Sequence, residues 1–164
     1  MIFWSPVTRS ASKVEVVGEG DFTTGARFQA IVALSCTGVR FRRSSGDAGT
    51  IKASIWDEAT NTRLANVNKA VSGVGSYEAV FESPVALTPH KRYVVGVYDL
   101  AGAGGKFNLA TEADSGYPST NFVSGPLLWE HFALYWAGDG RPNIASPDGA
   151  VAIYGVEPIF TVVT

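Results

Sequence analysis

Two histidines, one cysteine and 15 carboxylates are the residues of this sequence best suited to move a proton or hold a metal ion. A serine hydrolase would need a serine, a histidine and an acid within mutual hydrogen-bond reach. His90 stands in the corner Thr88-Pro89-His90-Lys91, where solvent is its expected surrounding. His131 stands between Trp129 and Phe132, where a structural role is expected, and no Gly-x-Ser-x-Gly elbow is present. A glycosidase would need two carboxylates about 5–10 Å apart across a cleft. Asp57, Glu58, Asp99, Glu112, Asp114, Glu130, Asp139 and Asp148 supply the number, but no spacing singles out a pair. Zinc needs clustered cysteine and histidine, and Cys36, His90 and His131 are scattered. Calcium takes oxygen ligands alone, so Asp139-Gly140, Asp148-Gly149 and the Asp57–Asn61 stretch keep it open. Asp-Gly is equally an ordinary turn dipeptide. The expectation is a protein that is not an enzyme and needs no cofactor, with calcium the one ion left open.

Recognition chemistry is better supplied. A sugar ring is held by an exposed aromatic face, with planar polar groups for its hydroxyls. Between residues 126 and 143 the chain carries Trp129, Tyr135 and Trp136, followed by Asp139, Arg141 and Asn143. These six are the candidate glycan contacts. Trp56 and Tyr117 are further aromatic candidates, and the competing role for all of them is core packing. Two other groups suit protein partners. Ile2, Phe3 and Trp4 make an apolar tip that would otherwise face water. Arg40, Arg42 and Arg43 form a local basic face, which Lys52 on the next strand would extend, and arginine is enriched in interfaces.

These residues need a frame, and the hydrophobic spacing supplies one. Residues 24–33 set Phe28 and Ala30 against Arg27 and Gln29, and residues 37–43 set Val39 and Phe41 against Arg40 and Arg42. Residues 51–57 set Ile51, Ala53 and Ile55 against Lys52, Ser54 and Trp56. Residues 63–69 read as a return strand, and 77–82 and 92–99 alternate again. Period 2 of this kind belongs to half-buried strands. Residues 13–17, 106–110 and 150–163 are weaker strands, the last broken at Gly155 and confined by Pro158 to an edge. Residues 126–136 admit two readings. Pro126 suits a helix start with Trp129, Phe132, Ala133 and Trp136 at helical spacing, while 132–136 also reads as a strand. Short strands between turn signals predict an all-β fold, an antiparallel β-sandwich with jelly-roll-like topology. Its predicted core is Phe28, Val39, Phe41, Ile55, Phe81, Tyr93, Val95 and Val97. The sandwich domain is expected over 22–164, with 1–21 as an N-terminal docking arm.

A chain of 164 residues, 46% hydrophobic and 17% charged, suits one domain with a packed core rather than a disordered segment. The net charge of −2 and the lack of a basic tract argue against nucleic acid. No apolar run approaches the length of a transmembrane helix, and no membrane partner is expected. Cys36 is alone, so no internal disulfide forms. The first residues lack a charged leader with an apolar stretch, so no signal peptide is expected.

Four stretches, taken in order, carry a resemblance. They are GARFQAIVALSCTGVRFRR at 25–43, GTIKASIWDEATNTRLAN at 49–66 and YEAVFESPVALTPHKRYVVGVY at 77–98. The fourth is GPLLWEHFALYWAGDGRPN at 125–143 followed by AVAIYGVEPIFT at 150–161. From about Gly25 onward the chain resembles a family of bacterial and phage β-sandwich modules catalogued as a domain of unknown function. The resemblance implies a sandwich of the kind appended to secreted carbohydrate-active enzymes and surface proteins. Residues 1–21 and the WEHFALYW stretch look particular to this chain. A free-standing copy without a leader points to a phage virion protein, made in the host cytoplasm and assembled there. The expected role is structural or accessory, as capsid decoration or a part of the tail or fibres. Its expected partners are other virion subunits in a homo-oligomeric or multi-copy assembly, with surface glycans beside them. The alternative is a carbohydrate-binding module of bacterial origin, and a weaker alternative is a small hydrolase.

Overall fold

The computed structural model describes residues 15–17, 22–43, 48–100, 107–109, 122–145 and 155–164. Among the described residues the regular structure is strand alone: β1 (Glu15–Val17), β2 (Phe22–Ala30), β3 (Leu34–Arg43), β4 (Gly49–Asp57), β5 (Thr62–Val71), β6 (Gly75–Leu87), β7 (Arg92–Asp99), β8 (Phe107–Leu109), β9 (Phe122–Ser124), β10 (Leu127–Ala137), β11 (Ile144–Ala145) and β12 (Val156–Val162). They form two antiparallel sheets. In the five-stranded sheet β3 pairs with both β6 and β12, β8 meets β3 at Arg43, and β1 pairs with β8. The seven-stranded sheet runs β11-β10-β2-β7-β4-β5, with β9 also on β10. Apart from β4–β5 and β9–β10–β11, each connection passes to the opposite sheet, the winding of a jelly-roll-like sandwich.

Alternation decides what lies between the sheets. Phe28, Ile55, Tyr93, Val95 and Val97 from one sheet meet Val39, Phe41 and Phe81 from the other in a single core. All eight predicted core residues are buried there. Phe28 packs against Tyr93 and Trp129, and Phe41 stacks on Tyr77. Cys36 is buried in the same core.

Residues 127–137 are strand, not helix. β10 lies beside β2, with register shifts between Trp129 and His131 and between His131 and Leu134. Each bulge adds a residue, so the period-2 pattern breaks in between. β6 continues past the alternating 77–82 stretch through Pro84 to Leu87, and extra residues on β6 shift its register with β3 between Cys36 and Gly38. β9 and β11 are short strands that both pair with β10. Among the described residues β12 pairs with β3 alone, the edge position that Pro158 requires. Within the lead-in, β1 is the described part; Ile2, Phe3 and Trp4 lie outside the described residues.

The outer face of the seven-stranded sheet has a third layer. Gly25, Gly96 and Ser54 stand side by side on β2, β7 and β4. A Cβ on Gly25 would sit 1.9 Å from the Val95 carbonyl oxygen, so β2 and β7 approach there only because the side chain is missing. Residues 138–143 cross this shallow row. Pro142 lies over Gly96, its Cγ 3.2 Å from where a Cβ would be. Thr23 Oγ1 donates to the Gly138 carbonyl, and the Asn143 amide donates to the Tyr135 carbonyl. Under this cover Ser54, Val94 and Leu134 are buried although they point away from the core.

Candidate functional site

The crossing segment gathers the polar residues that the sequence left dispersed. β10 ends with Trp136 facing outward, 41% exposed. Its indole lies against Gly140, where a Cβ would be 2.6 Å from Cδ1 and 2.7 Å from Nε1. Any larger residue at 140 would displace the ring. Asp139 turns down onto the sheet and accepts from Lys52 Nζ on β4 at 2.5 Å and Arg63 Nη2 on β5 at 2.6 Å. Arg63 in turn lies 5.0 Å above the Trp56 ring, a cation–π contact that helps keep Trp56 only 3% exposed. Arg141 reaches across the rim, and its Nε donates to Asn61 Oδ1 at 2.7 Å. Asn61 holds φ 56 in the β4–β5 turn, a conformation asparagine tolerates well.

Electrostatics fix the carboxylates in this layer as anions. Burial opposes the ionisation of Asp139, but hydrogen bonds and charge from Lys52 and Arg63 outweigh it and hold the carboxyl below its usual range. Glu130 behaves likewise: burial raises it, and Gln29, Arg92 and Arg27 together bring it lower. Glu130 sits in a network with Arg27, Arg92 and Gln29, and Arg27 also binds Glu58. Asp57 is held low by the hydrogen bond from Lys91, with the Thr60 and Ala59 amides assisting. These networks tie β2, β7, β10 and the β4–β5 turn together. The described residues include no group of three or more His, Cys, Asp and Glu placed to hold a metal ion. Of the stretches that keep calcium open, Asp139 and Asp57 are already occupied by cationic side chains. Asp148-Gly149 lies outside the described residues.

The six candidate glycan contacts are therefore divided. Trp136, Asp139, Arg141 and Asn143 share the loop and its rim. Trp129 does not join them: it is 2% exposed and packs on Phe28, because the strand's inward parity there serves the core. Tyr135 is half-buried, packed against the core and edge-on to Phe22. Tyr117 and the His131 side chain lie outside the described residues, and His90 is exposed in its corner at φ 63. Lys52, Asn61 and Arg63 were not legible as site residues. The signal that was present is glycine inside strands, at Gly25 and Gly96, which marks a close approach.

The basic face on β3 also needs correction. Arg40 is held between Glu78 on β6 and Glu157 on β12, so its charge is balanced. Arg42 is half-buried, and Arg43 is only 3% exposed and cannot be presented to a partner. Lys52 does not extend this face, because β4 belongs to the other sheet.

Fold and site define an all-β sandwich module with an aromatic and cationic surface loop. The chain belongs to DUF4082, a domain of unknown function, whose family model matches residues 8–125. No curated protein matches it. The match starts inside the lead-in and stops before β10, whereas the resemblance read from the sequence begins near Gly25 and runs through the closing strands. Lys52, Asn61 and Arg63 fall inside the matched segment; Trp136, Asp139 and Arg141 lie beyond it.

Proposed function

We propose that this protein is a non-catalytic recognition module, carried in many copies on a larger assembly, with the loop at 136–143 as its glycan contact. The observation that carries the reading is Trp136: a large aromatic 41% exposed at the end of β10, its indole against Gly140 in the segment that carries Arg141. An aromatic face contributes on the order of 1 kcal/mol beyond area burial, so one site binds weakly and many copies bind well. A phage particle is the assembly proposed, with the protein as decoration or a part of the tail. A bacterial carbohydrate-binding module would use the same loop while attached to an enzyme. The hydrolase reading is disfavoured by the carboxylates whose ionisation shifts, since Asp57, Glu130 and Asp139 all move away from the raised value a general acid needs.

The test is a glycan array probed with the protein displayed multivalently on beads, beside Trp136→Ala. Binding that disappears in the variant, at an unchanged unfolding midpoint, is expected. Absence of binding to every glycan refutes the recognition role. Mass spectrometry of purified particles should find the protein in stoichiometric amount, and its absence there refutes the virion assignment.

A further inference from the structure

The glycan site carries more positive charge than its own carboxylate neutralises. Lys52, Arg63 and Arg141 converge on the segment around Asp139, three cations against one anion, on a chain whose net charge is −2. Among the described residues the adjacent carboxylates do not redress this, because Asp57 is engaged by Lys91 and Glu58 by Arg27. Of the three, Arg141 is the one with no ion pair among the described residues. Among the described residues it makes one hydrogen bond, from Nε to the Asn61 side-chain oxygen, and both of its Nη groups have no partner there. That bond engages Nε and leaves the two Nη groups as a planar pair of donors. A planar fork held in this way matches the two oxygens of an oxyanion. Trp136 is close by through Gly140, and among the described residues its indole N–H meets no acceptor.

From this juxtaposition we infer that the site takes an acidic saccharide, its ring on Trp136 and its oxyanion on Arg141. Lys52 and Arg63 supply the surrounding positive field while remaining bonded to Asp139. The inference rests on the glycan reading given above and narrows it to sugars bearing a carboxylate, sulfate or phosphate group.

The experiment uses the full chain on beads against four matched glycan sets: neutral, uronate- or sialate-bearing, sulfated and phosphorylated. Wild type, Trp136→Ala, Arg141→Gln and Arg92→Gln are compared, the last removing a cation away from the loop. At least one acidic set should bind about tenfold or more tightly than the neutral set, as a charge-assisted hydrogen bond allows. Arg141→Gln should remove that preference while Arg92→Gln keeps it. Binding should also weaken from about 0.05 M to about 0.5 M salt, as screening shortens. Which acidic set binds identifies the oxyanion. Neutral glycans bound equally well, with Arg141→Gln silent and Trp136→Ala inactive, would overturn this inference and leave the glycan reading standing. No binding by any set would overturn both.

Discussion

Gly25 gives the sharpest test of how the seven-stranded sheet is built. A methyl group at this position would stand 1.9 Å from the Val95 carbonyl oxygen and 2.9 Å from the Gly96 Cα, both backbone atoms. No side chain can turn aside to make room, so β2 and β7 must separate. Overpacking of this kind usually costs about 1–3 kcal/mol, and a backbone clash belongs at or above the top of that range. Alanine recovers roughly 0.5–1 kcal/mol by restricting the unfolded chain. The expected net loss for Gly25→Ala is then about 2–3 kcal/mol. At about 2–4 °C per kcal/mol for a domain of this size, the melting temperature should drop by roughly 4–12 °C. Gly96→Ala is the internal control. Its methyl would meet Thr23 Cγ2 at 3.1 Å, Pro142 Cγ at 3.2 Å and the Thr24 carbonyl oxygen at 3.2 Å, contacts that a shift of a few tenths of an ångström relieves. It should cost no more than about 1 kcal/mol while loosening the segment over the sheet. Calorimetry with matching urea titrations decides the matter. If Gly25→Ala is within about 0.5 kcal/mol of wild type, or Gly96→Ala is the worse of the two, the close-approach argument fails.

Phe41→Ala, which empties the centre of the core between the sheets, should cost about 3–5 kcal/mol in urea unfolding. Asp57, Glu130 and Asp139 have folded ionisation below the unfolded range, so their contribution is complete above about pH 5 and is lost as pH falls through the folded values. The unfolding midpoint should therefore decline on the acid side, and Asp139→Asn should flatten part of that decline; an unchanged limb would show that Lys52 and Arg63 do not hold Asp139. Cys36 should resist maleimide in the native protein, since burial pushes its thiol up to about 12 and the thiolate is the reactive form. Labelling at the rate of a free thiol would contradict its burial.

The core was legible because residues 26–30, 39–43, 51–55 and 93–97 alternate, and each inward residue there faces the other sheet. β10 was ambiguous because its two bulges interrupt the alternation between Trp129 and Leu134. Trp129 belongs to the core and Trp136 to the surface, although both are tryptophans on one strand. Alternation also says which side of a strand a residue takes, not which sheet the strand joins. This is why Lys52 was grouped with Arg40 when it serves the opposite sheet. The pairing of Asp139 with Lys52 and Arg63 joins positions 87 and 76 residues apart, and no local pattern encodes it.

The strand order has a consequence for how the chain is made. β2 meets its neighbour β10 through pairs such as Phe28 with Trp129, and β3 meets β12 through Phe41 with Val156. A ribosome delivers the first member of each pair long before the second. During that interval the nascent chain holds two open edges, one in each half of the future sandwich, and open edges recruit foreign strands. Closure must wait for the last strand to be synthesised, and contacts this distant in sequence form slowly. A fragment ending at residue 125 would freeze that interval: it keeps the residues matched by the family model but lacks the strands that seal both edges. Such a fragment should aggregate or swap strands unless β10 and β12 are supplied in trans.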